Sequence, residues 1–144
     1  MNFDISSATI LKVKHGSHAY GLNTPTSDLD IKGVCIEPLE YHLGFAKCFE
    51  QHIQEASKGH ANDLVIYSLK KFAKLATDAN PTIVECLFVE PEDVLFCNKY
   101  GEELFAFRYN FLSAKAKYRF LGFAYSQLKR IKTDREWMRK PPTA

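Results

Sequence analysis

At Ser68 the hydrophobic period of this 144-residue chain changes from about two residues to about 3.6. Before Ser68, apolar residues alternate in short β-branched runs; after it they recur at helical spacing. A chain that orders its strands first and its helices afterwards must bury one sheet face under a helical layer. The expected class is therefore α+β, a small mixed β-sheet with helices packed on one face. The sequence divides into a sheet-rich part, residues 9–67, and a helical part, residues 68–140. No linker separates them, and 144 residues are too few for two independent cores, so a single domain 1–144 is expected.

Residues 9–14 (TILKVK) are β-rich and lead into Gly16. Residues 15–26 hold Gly16, Gly21, Asn23 and Pro25, which is loop chemistry around at most one helical turn. In residues 28–36 (DLDIKGVCI), Leu29, Ile31, Gly33 and Cys35 share one face; Asp28, Asp30, Lys32, Val34 and Ile36 share the other. Residues 37–46 read as an irregular connection, 48–55 as a weaker strand and 57–62 as a turn. Residues 64–67 (LVIY) then form a strand that pairs with the preceding one as a hairpin. Ser68 N-caps a helix with Leu69, Phe72, Leu75 and Ala76 on its apolar face. Asn80-Pro81 starts another, Asn as cap and Pro at its first position, with Ile83, Val84 and Leu87 inward. Residues 100–112 are expected to be helical. Ser113 caps a last long helix carrying Phe120, Leu121, Ala124, Leu128 and Ile131 on one side, and Pro141-Pro142 ends it.

Composition narrows the function classes. With 46% hydrophobic and 25% charged residues the chain is neither disordered nor fibrous. No run approaches the roughly 18 apolar residues of a membrane span, and residues 1–4 lack the pattern of a signal peptide. Cys35, Cys48, Cys86 and Cys97 contain no Cys-x-x-Cys pair and read as reduced core residues of a cytoplasmic protein. Residues 1–113 carry 10 Lys and Arg against 15 Asp and Glu, a net −5; residues 114–144 carry 9 against 2, a net +7. An acidic body with a basic end suits a metal at one place and a polyanion at another, although charge runs by themselves usually mark solvated faces.

The stretch richest in chemistry is Gly16-Ser17-His18-Ala19-Tyr20-Gly21 followed by Ser27-Asp28-Leu29-Asp30-Ile31. Carboxylates at i and i+2 of a strand point the same way with Cα atoms about 6.6 Å apart. Such a pair grips a divalent cation from one side, the hard-oxygen setting Mg²⁺ takes when phosphates supply the other ligands. A third carboxylate on a neighbouring strand would complete a two-metal site, with ions roughly 3.5–4 Å apart. Asp63 is the best placed, and Glu50 and Glu55 are also within reach. Gly16 lets the backbone approach a phosphate, and the Ser17 amide and hydroxyl can point at it. Without Gly16-Ser17 upstream, Asp28 and Asp30 would read as a turn cap and an exposed strand residue. His15 and His18 flank the Gly-Ser, but no Cys or second His pair completes a zinc set, so they read as loop histidines. Lys32 either neutralises a carboxylate or is solvated. Lys70, Lys71 and Lys74 lie opposite an apolar face and read as a solvated helix surface. Tyr20 and Tyr125 could stack a base, but among 18 Phe and Tyr a core position is the better reading. Glu85 carries no assigned role.

This order of strand, Gly-Ser, ten residues, Asp-x-Asp and a later strand with one more Asp resembles the DNA polymerase β nucleotidyltransferase superfamily. The runs GSHAYGLNTPTSDLDIKGV, YSLKKFAKL and NPTIVECLF are similar to a family of nucleotidyltransferases of bacteria and phages, linked in part to RNA repair; the resemblance spans roughly residues 9–131. It implies a polymerase-β-like fold in which Gly16 and Ser17 grip phosphate. Asp28 and Asp30 would hold two Mg²⁺ ions (Mn²⁺ substituting), and Asp63 would be the third carboxylate, helping to activate the attacking hydroxyl. The implied reaction transfers a nucleoside monophosphate from an NTP, ATP first among them, to a hydroxyl, releasing pyrophosphate. A basic residue from a helix beside the sheet would meet the triphosphate, and Lys115, Lys117 and Arg119 are at hand. RNA is the expected acceptor through the basic C-terminal end, with no membrane partner. The rival readings are an inactive nucleotide- or RNA-binding module on the same fold and an antitoxin-like adenylyltransferase of a partner protein. Similar proteins often continue past the point of Pro141-Pro142, so a portion that shapes the acceptor site is expected beyond this chain.

Overall fold

In the computed structural model, which describes residues 3–43, 48–55 and 62–139, one helical turn, α1 (Ile5–Ala8), leads into strand β1 (Thr9–His15). A second single turn, α2 (Gly16–Ala19), and a loop bring the chain back as β2 (Asp30–Cys35). After the turn α3 (Glu40–Leu43) come β3 (Gln51–Gln54) and β4 (Asp63–Ser68). Helices α4 (Leu69–Thr77) and α5 (Pro81–Glu85) follow, then a 3₁₀ turn (Pro91–Asp93), strand β5 (Val94–Cys97) and α6 (Lys99–Ala106). A second 3₁₀ turn (Arg108–Phe111) precedes the long helix α7 (Ala114–Arg139).

The five strands form one sheet in the order β3-β4-β2-β1-β5. All pairings are antiparallel except that of β2 with β4. This mixed sheet, with a core of Leu11, Val13 and Val34 against Phe72, Ala76, Ile83, Cys86 and Leu87, is the expected α+β architecture. The pleat explains the pattern: Leu11 and Val13 lie two apart on β1, and Val34 pairs with Leu11 across β2.

The local signals at the sheet-to-helix switch act as the sequence indicates. The Ser68 hydroxyl accepts the Lys71 amide at 3.1 Å, and the Asn80 side chain accepts the Ile83 amide at 3.4 Å with Pro81 at the first helical position. Other expectations are corrected. Strand β2 starts at Asp30, so Asp28 stands in the preceding loop. His15 is the last residue of β1, not a loop residue. The irregular connection contains the turn α3, and β5 was not foreseen at all. Of the expected turn at 57–62, residues 57–61 lie outside the described residues, as do Pro141 and Pro142. Cys35 and Cys86 are buried, whereas Cys48 is exposed and Cys97 half-buried.

Helix α7 departs most from its reading, because Leu121, Leu128 and Ile131 are exposed. The reason is length. Helix α7 packs on α5, and at about 1.5 Å per residue the 26 residues of α7 extend about 39 Å against about 8 Å for the five of α5. The shorter helix can cover only part of the longer one.

Candidate active site

Strand register builds the site. His15 pairs with Asp30 across β1 and β2, and Asp30 pairs with Asp63 across the parallel β2 and β4. His15 follows the buried Val13 by two residues, so His15, Asp30 and Asp63 belong to the face that carries the core, at its outer end. Adjacent strands are about 4.8 Å apart, which sets the backbone separation of the two aspartates. The Asp63 amide donates to the Leu29 carbonyl at 3.2 Å, carrying the pairing to the edge of the loop that holds Asp28. Asp28 itself is exposed, and the loop rather than the pleat decides its place.

The alternatives for the third carboxylate separate by position. The Ser68 amide donates to the Glu50 carbonyl, so Glu50 sits at the far end of β4, about 16 Å from Asp63 at ~3.3 Å per residue. Its carboxylate pairs with Lys71 at 2.8 Å, which holds it below the usual carboxylate range. Glu55 follows Gln54, which pairs with Leu64, and so stays at the Asp63 end.

The turn after β1 closes over this edge. Gly16 has φ +65°, a left-handed conformation open to glycine, and a Cβ there would run into the Asp30 carboxylate. The Gly-Ser turn thus lies directly against the first strand aspartate. Gly21, at φ +64°, ends the same segment with open space around it. The Leu22 amide donates to the Ser17 carbonyl at 2.8 Å, and the His18 Nε2 lies 3.4 Å from the Ser27 carbonyl, joining the turn to the loop before Asp28.

Lys32 is on the carboxylate face, two residues beyond Asp30 and half-buried. Burial first, and then the Lys32 charge, hold the His15 imidazole below its ordinary pKa, against the opposing pull of Glu85 and Asp30. The His15 Nε2 is buried without a hydrogen-bond partner, 3.6 Å from Glu85 Oε2. Tyr20, read from the sequence as core, is 54% exposed and donates its hydroxyl to Glu85 Oε2 at 2.5 Å. Tyr125 is likewise exposed. A cavity of about 210 Å³ opens beside the turn, lined by His15, Tyr20, Glu85, Phe88 and Glu90 among others. Sequence reasoning assigns Glu85 no role, but one signal was available: it is a carboxylate in a short helix that otherwise turns Ile83 and Val84 into the core.

Among the described residues, no three His, Cys, Asp or Glu side chains are gathered into a ready-made metal site. The donors on offer are carboxylate oxygens from one loop and two strands, with the turn at Gly16 too tight for a side chain. That chemistry fits a hard cation sharing its shell with phosphate oxygens, and it does not fit the four-ligand zinc sets. Of the basic residues opening α7, Lys115 lies 3.7 Å from Asp78. No helix among the described residues is long and apolar enough to cross a membrane.

Comparison with known proteins agrees with this fold. The model of the RlaP family, described as an RNA repair pathway DNA polymerase beta family, matches residues 4–142. An uncharacterized 38.9 kDa protein from the nrdC–mobD intergenic region of Enterobacteria phage T4 is 35% identical over 92 residues. That match takes in 60% of this chain and 27% of the phage protein, so the chain spans about a quarter of its relative's length. No solved structure shows a significant match.

Proposed function

We propose, from the premise that the chain belongs to the RNA repair pathway DNA polymerase beta family, that it transfers a nucleoside monophosphate from an NTP to a hydroxyl on RNA and releases pyrophosphate. The observation that carries the reading is the parallel register Asp30–Asp63 with the left-handed Gly16 set against the Asp30 carboxylate. Carboxylates on neighbouring strands beside a side-chain-free turn supply oxygen ligands for a hard cation and open backbone for a phosphate.

Asp28, Asp30 and Asp63 would hold Mg²⁺, with Mn²⁺ as the expected substitute. Bound there, the metal would offset phosphate charge and lower the pKa of the attacking hydroxyl. The chain's own groups do the positioning. Gly16 admits the phosphate close to the backbone, and the Ser17 amide and hydroxyl donate to its oxygens. Asp63, on the outer of the two strands, faces the acceptor side. Burial and the Lys32 charge hold the His15 imidazole below its ordinary value, which favours its neutral form beside Lys32. Lys32 offsets part of the carboxylate charge from below. Catalysis of this kind rests on alignment and charge stabilisation more than on covalent chemistry.

The test is incubation with each labelled NTP, Mg²⁺ or Mn²⁺, and a mixed RNA pool. Label on RNA is the expected result. Label on a protein would favour the adenylyltransferase reading, and NTP binding without transfer would favour a binding module.

A further inference from the structure

The Tyr20–Glu85 hydrogen bond joins two parts of the chain that differ in how they are held. On one side is the segment 16–21, which starts and ends at a left-handed glycine, Gly16 at φ +65° and Gly21 at φ +64°. Glycine at both ends lets the backbone turn sharply into and out of this segment. Its side chains contribute no buried residue to the core. Within it, Tyr20 N to Gly16 O and Gly21 N to His18 O are both 3.3 Å, and the Leu22 amide closes it on the Ser17 carbonyl at 2.8 Å. On the other side is α5, fixed at its start by Asn80 and Pro81 and through its middle by the fully buried Ile83 and Val84. Glu85 ends that anchored helix, and its Oε2 takes the Tyr20 hydroxyl at 2.5 Å. The bond is charge-assisted, the stronger kind of hydrogen bond. It crosses 65 residues of sequence to tie a turn with no buried residue to a helix anchored in the core.

We propose that Glu85 is a positioning residue, whose carboxylate latches the glycine-bounded turn 16–21 to α5 through the Tyr20 hydroxyl and thereby fixes Gly16 and Ser17 over the Asp30 carboxylate. The proposal rests on the nucleotidyltransferase reading for what the turn holds, but not for the latch itself. In this role Glu85 acts through Tyr20 rather than on the phosphate or the acceptor. Its effect reaches the site by limiting how far the Gly-Ser can move from the strand edge. Burial and the Glu85 carboxylate both push the Tyr20 pKa above its ordinary value, which keeps the hydroxyl proton in the latch across the working pH range.

The experiment uses Tyr20→Phe, Glu85→Leu and the double variant, with Glu85→Gln as the conservative replacement that keeps an acceptor oxygen. Tyr20→Phe removes one oxygen from an exposed ring, so it is expected to fold. Amide hydrogen exchange without nucleotide should speed up roughly tenfold at residues 16–21 in both single variants, no further in the double variant, and less in Glu85→Gln; other amides should be unchanged. With ATP and Mg²⁺, the same variants should raise KM about tenfold while kcat stays within about twofold, because a misplaced grip weakens ATP binding more than it slows the chemistry. Unchanged exchange at 16–21 in Tyr20→Phe would overturn the latch. Additive losses in the double variant would overturn it as well, since they would show two independent effects. Failure of the nucleotidyltransferase reading shows differently: the exchange pattern would appear as expected while wild type neither bound nor turned over ATP.

Discussion

At the scale of single residues, the carboxylates and the thiols make the sharpest demands. Asp28→Asn and Asp30→Asn should each lower nucleotidyl transfer by roughly 10²–10³ or more, since charge stabilisation at the phosphate is lost. Circular dichroism should be unchanged, and the metal-free Tm should hold or rise, because a like charge leaves the cluster. Asp63→Ala should match that loss in turnover with little change in NTP affinity. Calorimetric titration with a nonhydrolysable NTP separates the two effects. The thiols answer to pH. Burial pushes Cys35 and Cys86 up to about 12 from an ordinary value of 9.0. The unfolded chain therefore ionises at these sites first, and stability is full below pH 9 and falls as pH rises towards 12. Cys35→Ala should flatten the alkaline limb of a denaturation series. In the native protein, iodoacetamide should modify the exposed Cys48 well before Cys35 or Cys86. Of these residues, the closeness of Gly16 to Asp30 was legible in the sequence because only 14 positions separate them, whereas Asp63 lies 33 positions beyond Asp30 and only strand register brings the two together. The Tyr20–Glu85 contact was not legible, because its partners lie 65 residues apart and only the packing of α5 brings them together.

At the scale of elements, legibility follows whether a signal is local. Ser68 and Asn80 cap helices α4 and α5 through bonds to residues three places on, so the sequence alone could place both starts. Ser68→Ala should cost about 1 kcal/mol in a urea titration, the usual worth of a cap, with the slope of the transition unchanged. Strand β5 was illegible for the opposite reason. Its four residues, Val94-Leu95-Phe96-Cys97, show no alternation, and Leu95 and Phe96 remain well exposed at the sheet edge. Only pairing with β1, more than 80 residues earlier, makes it a strand. Helix α7 shows a third case. Its periodicity correctly announced a helix, but periodicity does not reveal whether a neighbour is long enough to cover the apolar side.

At the scale of the whole molecule, charge is divided between an acidic body and a basic end. If Lys129, Arg130, Lys132, Arg135, Arg139 and Lys140 meet RNA phosphates, affinity should fall steeply with salt. The logarithmic slope should shrink by roughly 0.7–0.9 for each contact removed. Replacing Arg135, Arg139 and Lys140 together by Gln should flatten that slope and leave ATP binding unchanged. RNA binding across a salt series, in wild type and triple variant, reads this directly; equal slopes would leave the basic end as a solvated helix. The parallel pairing of β2 with β4 has its own consequence, for tolerance to insertion. Because β4 is held between β2 and β3, extra residues in the connection between β3 and β4 leave the strand where it is. A Gly-Ser pair added after Glu55 should therefore preserve transfer. One residue added between Asp63 and Leu64 shifts Asp63 out of step with Asp30, turns its side chain towards the opposite face and should abolish transfer in a protein that still folds. Evolution and engineering alike are free to lengthen this molecule between β3 and β4, while the first residue of each of two strands is fixed in place by its neighbour.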